Sequence, residues 1–323
     1  MARQYDRYCK VTLEGAGTLD VSMMRCRFQV THYESQTPAN AEVYIYNLAR
    51  STEQKIEKEY SSITIEAGYQ EQYGIIFKGE IIQKRTGREN PVDTYINIIA
   101  RSADQGNGYA VVNKTLQKGH TKNDMLQEIL KSFQQYGISA GYISEKIKSD
   151  QTKSPRGAAL FGMARERLRE LCQGSDCVFS LRNQQVQILG NAETVPGGTI
   201  VLNSQTGMIG RAEQTIEGVV VKSLLNPAIH NGVLIQINES SINKAAFSVR
   251  PGDEGVNQIL ADNIATDGMY KALFVDHYGD TRGVPWYSET TCIRADGKGV
   301  VSPRTAQRGV VLPDGTEGGR NGR

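Results

Sequence analysis

The residues best suited to chemistry sit together late in the chain. In FVDHYGDTRGVPWY, residues 274–287, Asp276, His277 and Asp280 lie close enough for carboxylates to orient an imidazole. General acid–base catalysis needs such a cluster, held in a cleft. Trp286, the only tryptophan, and Tyr287 follow, and flat rings of this kind also suit a sugar. The patch therefore raises two functions: a cell-wall hydrolase or peptidase, and a monomeric carbohydrate-binding β protein. It also reads more simply. Tyr278-Gly279-Asp280 and Arg282-Gly283 are what a polar hairpin loop between two strands requires.

Elsewhere the chemistry is thin. The four histidines are His32, His120, His230 and His277, and no HExxH places two of them on one helix face. Cys172 and Cys177 have no second pair nearby, whereas a metal site needs three or four converging ligands. No GxxxxGK[ST] or GxSxG occurs, and QGNGYAVV, residues 105–112, neither completes GxGxxG nor opens a helix. Asp253-Glu254 follows RPG in a solvated turn, although a glycosidase pair has the same composition. RERLRE, residues 165–170, is a charged helix face. No catalytic, metal or cofactor residue is assigned, and a non-enzymatic protein is expected.

The totals agree with that expectation. The 323 residues carry 37 basic and 35 acidic groups, a net charge of +2, so the basic excess of a nucleic-acid binder is missing. Five cysteines, an odd number, argue against a disulfide scaffold and for a reducing compartment. MARQYDRYCK has no apolar core of a secretory signal, and no run of 18 apolar residues occurs. Synthesis in a cytoplasm is expected.

The elements that must position these residues are mainly strands. Residues 25–32 alternate with period two, as do Cys9, Val11 and Leu13. Val43 and Ile45 face one way and Tyr44 and Tyr46 the other, so something should cover the second face. Ser51 and Gln54 form a capping-box pattern for a short helix whose Ile56 plugs one end of the sheet. Six short strands closed by one helix predict a barrel. The middle is α+β: a helix capped by Thr121 and stopped near Gly137, and a second helix opened by Ser154-Pro155. Two strands, residues 177–181 and 185–189, then flank the turn Arg182-Asn183-Gln184, and TVPGGT, residues 194–199, is a linker.

Strands then resume at residues 199–203, 218–225, 232–238, 245–249, 268–277 and 284–294. NPAIHNG, residues 226–232, stands before VLIQIN as the capped helix stands before ITIEAG, and YKALFVDH matches GIIFKGEI as a long late strand. An internal duplication is expected, giving an α+β, mainly β chain with two related β-barrel domains. These span residues 1–102 and 198–294, with an α+β insert at 103–197 and an extended tail at 295–323. In the tail, Val310, Val311 and Leu312 form a short apolar patch that could add to a neighbour's sheet edge.

The order VYIYNLARSTEQKIEKEYSSITIEAGYQEQYGIIFKGEI, NKTLQKGHTKNDMLQEI, SPRGAALFGMARERLRELC, LLNPAIHNGVLIQIN and YKALFVDHYGDTRGVPWY resembles baseplate hub proteins of tailed bacteriophages. Hub domains of type VI secretion spikes are similar in plan. The resemblance implies a homotrimer whose two barrels per chain make a pseudo-sixfold ring. One side would stack on the hexameric tail tube protein, and the other would hold the spike or central fibre protein. Other baseplate proteins would be further partners, and DNA only passing cargo in the ejection channel. It implies a virion location, assembly in the host cytoplasm without a membrane, and no cofactor. Tyr44, Tyr46, His277, Tyr278, Trp286 and Tyr287, with the tail patch, are then candidate interface residues. Some relatives carry a murein hydrolase domain, and no such appended domain is expected here.

Overall fold

A computed structural model describes residues 6–34, 36–247 and 254–297. The chain begins with β1 (Arg7–Gly15), β2 (Thr18–Asp20), β3 (Cys26–Tyr33) and β4 (Asn40–Tyr46). A helix, α1 (Arg50–Glu59), leads into β5 (Tyr60–Tyr69), β6 (Gln72–Arg88) and β7 (Thr94–Arg101). Their inward residues, such as Val11, Phe28, Val43, Ile65, Phe77 and Ile98, fill one core. Ile56 of α1 is fully buried in that core, as expected of an end plug. Helix α1 differs from expectation at its start. Its N-cap is Ala49 with no side-chain cap, and Ser51 lies inside the first turn. The turn is set earlier, by Asn47 in the left-handed region at φ 54°, whose amide group is engaged by Asp93 and Thr94. Asparagine tolerates that conformation better than most residues, so the helix starts before the serine arrives.

The middle segment contains α2 (Asp104–Tyr109), β8 (Val111–Leu116), α3 (Lys122–Gln134), β9 (Ser139–Ile143) and α4 (Glu145–Lys148). It continues with β10 (Ala158–Met163), α5 (Ala164–Gln173), β11 (Cys177–Arg182) and β12 (Gln185–Gly190). Thr121 caps α3 in a full capping box with Asp124. α3 and α5 share a separate core with β11 and β12, built on Leu126, Phe133, Leu168 and Ile188. The helix expected from Ser154-Pro155 to near Gly174 forms only in its second part, as α5, while residues 158–163 are instead β10, paired antiparallel with β8. The Ser154 amide and carbonyl bond to His120 and Gly119, which extends a ladder, and Gly162 at φ 121° leaves helical space. A serine–proline pair suits a helix start locally, but long-range pairing wins here.

The last part holds β13 (Ile200–Leu202), β14 (Ala212–Thr215), β15 (Gly218–Leu224), β16 (Leu234–Ile237) and β17 (Ile242–Asn243). It ends with α6 (Glu254–Asp262), β18 (Met269–Asp280) and β19 (Trp286–Arg294). A third core gathers Val219, Ile229, Ile235, Tyr270, Val275 and Cys292. The strand expected at 245–249 is absent over 245–247, and the rest of that stretch lies outside the described residues. Helix α6 is not expected from the sequence, which places only its first residue, Glu254, in a turn after RPG.

Fourteen strands of the first and last parts join in one sheet. Its main path is β17-β14-β15-β19-β18-β3-β4-β7-β6-β5-β1-β2, with β16 on β18 and β13 on β16. The path contains the same run twice. In the first part β3, β4, β7, β6 and β5 are neighbours in that order, each pair antiparallel. In the last part β14, β15, β19, β18 and β16 repeat the order and the directions. The repeat ends at the sixth strand, since β1 is antiparallel to β5 and β13 parallel to β16. The pairings form an open path among the described residues, with no closing ladder.

Candidate assembly interface

The two runs meet where β18 pairs with β3, from Phe274↔Tyr33 to Asp280↔Arg27. Strands alternate their side chains, so this seam has one face toward the cores and one toward solvent. On the outer face β4 places Tyr44, β3 Arg27 and Gln29, β18 Tyr278, and β19 Tyr287. The Arg27 guanidinium lies 4.4 Å from the Tyr44 ring centre, and Lys222 Nζ 3.7 Å from that of Tyr287. Tyr278 and Tyr287 stack at 5.1 Å, and Gln29 donates to the Tyr278 hydroxyl at 3.3 Å. Arg27, Gln29, Tyr44, Tyr278 and Tyr287 line a shallow hollow of about 240 Å³ bounded also by Glu42 and Pro285. Glu42 accepts from the Tyr44 hydroxyl at 2.8 Å and from Asn97 at 2.9 Å. Burial, with the charges of Asp276 and Glu289, pushes the Tyr278 hydroxyl up to about 12, so it stays a donor. Rigid rings with cations over them have few rotors to freeze, the composition that favours protein contact.

Three expected residues thus share this face: Tyr44, Tyr278 and Tyr287. Of the other three described ones, His277 and Trp286 turn inward, whereas Tyr46 lies on the same face of β4 as Tyr44 but is covered. Tyr46 is buried with Arg25 stacked 4.5 Å from its ring centre. The second face of β4 is therefore covered by Arg25, just before β3, and by Arg27 of β3. Trp286 is 3% exposed and packs edge-on against Phe28, so it offers no platform for a sugar. Its indole N–H donates to the Gly68 carbonyl at 3.1 Å and ties the β18–β19 hairpin to the end of β5. Gly68 sits at φ 148°, and a Cβ there would lie 2.3 Å from the Gln72 carbonyl oxygen. Trp286→Phe keeps the ring and strands that carbonyl. It is expected to cost about 1–3 kcal/mol, read from the urea midpoint. Val310, Val311 and Leu312 lie outside the described residues.

The expected Asp276–His277–Asp280 cluster does not assemble. Successive residues of β18 point to opposite sides, so Asp276 faces out and accepts from Thr31 at 2.5 Å, while His277 faces in. Asp280 pairs with Arg25 at 2.8 Å. Burial alone would raise the Asp280 carboxyl, but Arg25 and the amides of Arg282 and Gly283 hold it below its usual range. His277 Nδ1 meets Ser288 Oγ at 2.7 Å, and its ring also bonds to the Ile229 backbone. Among the described residues no group of three metal ligands gathers, and all five cysteines are free thiols.

Two buried polar groups went unread in the sequence. Lys271 of β18 is 1% exposed and pairs with buried Glu34, just past β3. Lys271 Nζ also donates to the carbonyls of Gly190 and Asn191, at 3.3 and 3.2 Å, at the end of β12. One ammonium group therefore joins all three parts of the chain. Burial raises the Glu34 carboxyl, and Lys271 opposes that rise. A second buried group, His32, His230, His277 and Arg182, comes from both sheet halves and the middle segment. The His32 and His277 rings lie 5.6 Å apart, edge to face. Burial lowers all three imidazoles, His277 to about 3 and His230 to about 4, with Arg182 adding repulsion.

No family model matches the sequence, and no curated protein matches it. Solved structures do. The 43 kDa tail protein of prophage MuSo2 from Shewanella oneidensis superposes with a TM-score of 0.55. It is 8% identical and covers 90% of this chain and 99% of its own. The tail protein from Neisseria meningitidis MC58 gives 0.58 at 8% identity, over 91% and 98%. The chain shares the fold of these phage tail proteins. At such identities a tail-protein fold is held by the pattern of buried positions rather than by particular residues. The tyrosine and arginine face therefore has to be argued from this chain's own geometry.

Proposed function

We propose that this protein is a structural hub of a phage tail baseplate, a homotrimer that joins a hexameric tube to a trimeric spike or fibre. The observation that carries the proposal is the repeated strand run. Three chains with two similar units each offer six similar positions, which is what a threefold body needs to meet a sixfold one. A ring of this kind requires heterologous contacts whose rotation closes. The proposed parts are barrels over 1–102 and 198–294, an outer insert over 103–197, and a tail over 295–323 that reaches a partner. Near-neutral charge suits a channel wall, because added phosphate contacts would retard passing DNA. Tail tube, spike and other baseplate proteins are the proposed partners, and the virion tail the location. Mass photometry of the full chain, alone and with the neighbouring tail proteins, tests it. A mass of three chains is expected, and a single-chain mass under both conditions overturns the proposal.

A further inference from the structure

The repeated run extends to fine detail, and one copy of that detail is incomplete. β6 pairs with β5 as far as Glu80, skips Ile82 as a bulge, and continues against β7 alone. β18 pairs with β16 as far as Lys271, skips Leu273 as a bulge, and continues against β19. Aligned on those bulges, Glu80 matches Lys271 and Ile82 matches Leu273. Beyond the bulge the copies part. In β18 the edge from Phe274 onward is filled by β3, which is the seam within the chain. In β6 the matching edge, residues 83–88, has no strand beside it among the described residues. Gln83, Arg85, Thr86 and Arg88 are exposed, and a cleft of about 520 Å³ opens between residues 86–88 and the start of α1. An uncovered edge of this length is a template for another strand.

We propose that this edge is the docking site for a second copy of the chain, whose β14 takes the place that β3 takes inside one chain. The inference rests on the hub proposal and names the contact that would close its ring. The repeat chooses the occupant, because β14 is the counterpart of β3: each is joined by a hairpin to the strand that pairs with β7 or β19. Carrying the seam's antiparallel register across sets Gln83 opposite Glu217, Arg85 opposite Thr215, and Glu89 opposite Arg211. Charges agree with that register. The β6 edge is basic except for its final glutamate, and the β14 side is acidic except for its final arginine. The Arg85 and Thr215 pair takes the place of Asp276 and Thr31, which bond across the internal seam. The contact is head-to-tail, so copies add in one rotational sense, as a ring requires. β17, two residues long, occupies part of the β14 edge at Ala212 and Glu213 and has to yield. It belongs to a stretch with no counterpart between β5 and β6, which a two-residue turn joins.

Full-length protein carrying Arg85→Cys and Thr215→Cys tests the register, since facing Cα atoms in an antiparallel pair lie within disulfide reach. Mild oxidation is expected to give covalent oligomers up to a closed trimer on a non-reducing gel, with neither single variant doing so. A charge swap gives a second readout. Glu89→Arg or Arg211→Glu alone is expected to weaken association about tenfold, and the double swap to restore it. A trimer in solution with no cross-link and no rescue overturns this contact and leaves the hub proposal standing. A single-chain mass, even beside the tail proteins, overturns both.

Discussion

Replacing Lys271 with methionine is expected to lower the unfolding free energy by about 3–5 kcal/mol, because it leaves Glu34 charged and buried without its partner. Lys271 is 1% exposed and Glu34 4%, so water cannot take over the lost contact. The Gly190 and Asn191 carbonyls lose a donor in the same step. At about 2–4 °C per kcal/mol the thermal midpoint should fall on the order of 10 °C. A double variant, Lys271→Met with Glu34→Leu, separates two meanings of the ion pair. Two apolar side chains of similar size often replace such a pair at little cost, so most of the loss should return. If the single variant loses under about 1 kcal/mol, the pair is not the clasp described. If the double variant stays as weak as the single, the lost bonds to β12 matter more than the stranded carboxylate.

The histidine trio should make the fold acid-labile well above the range where carboxylates titrate. An unfolded histidine takes up its proton near pH 6.5. In the folded chain burial lowers His277 to about 3 and His230 to about 4, and lowers His32 as well. The folded state thus binds fewer protons than the unfolded one between those limits. Stability is complete above about pH 6.5 and is lost as pH falls toward the folded values. His277 and His230 each contribute about 1.4 kcal/mol per pH unit, so at pH 5 their loss is on the order of 4 kcal/mol, and His32 adds to it in the same direction. Urea midpoints at pH 7.5 and 5.0 measure it. His32→Phe should flatten the profile, since phenylalanine fills similar space and takes no proton. An unchanged midpoint across that interval would mean the rings reach solvent.

What the residues alone determined is the local part. α3 was legible because Thr121 caps the amides just after it, Leu126, Ile129 and Leu130 repeat on one stripe, and Gly137 stands where the helix stops. The strands of the first part were legible because burial on one face leaves a period of two, and the hairpin at 281–285 because its turn formers are adjacent. The matches of NPAIHNG to α1 and of YKALFVDH to GIIFKGEI pointed to the elements that the repeated strand run aligns. Only the tertiary structure decided what depends on distant partners. Ser154-Pro155 could not show that β8 would capture the next residues as a strand. His277 raised a catalytic alternative because Asp276 and Asp280 lie near it in the sequence, yet a strand turns neighbours to opposite faces. Lys271 gave no signal, since a buried lysine differs from a surface one only through what surrounds it. The same holds for Tyr44, which is more than 200 residues from Tyr278 and Tyr287 and shares a face with them only because β18 lies beside β3. Spacing along a chain encodes periodicity and caps. Proximity across a sheet is set by which strands find each other, and that is a property of the whole fold.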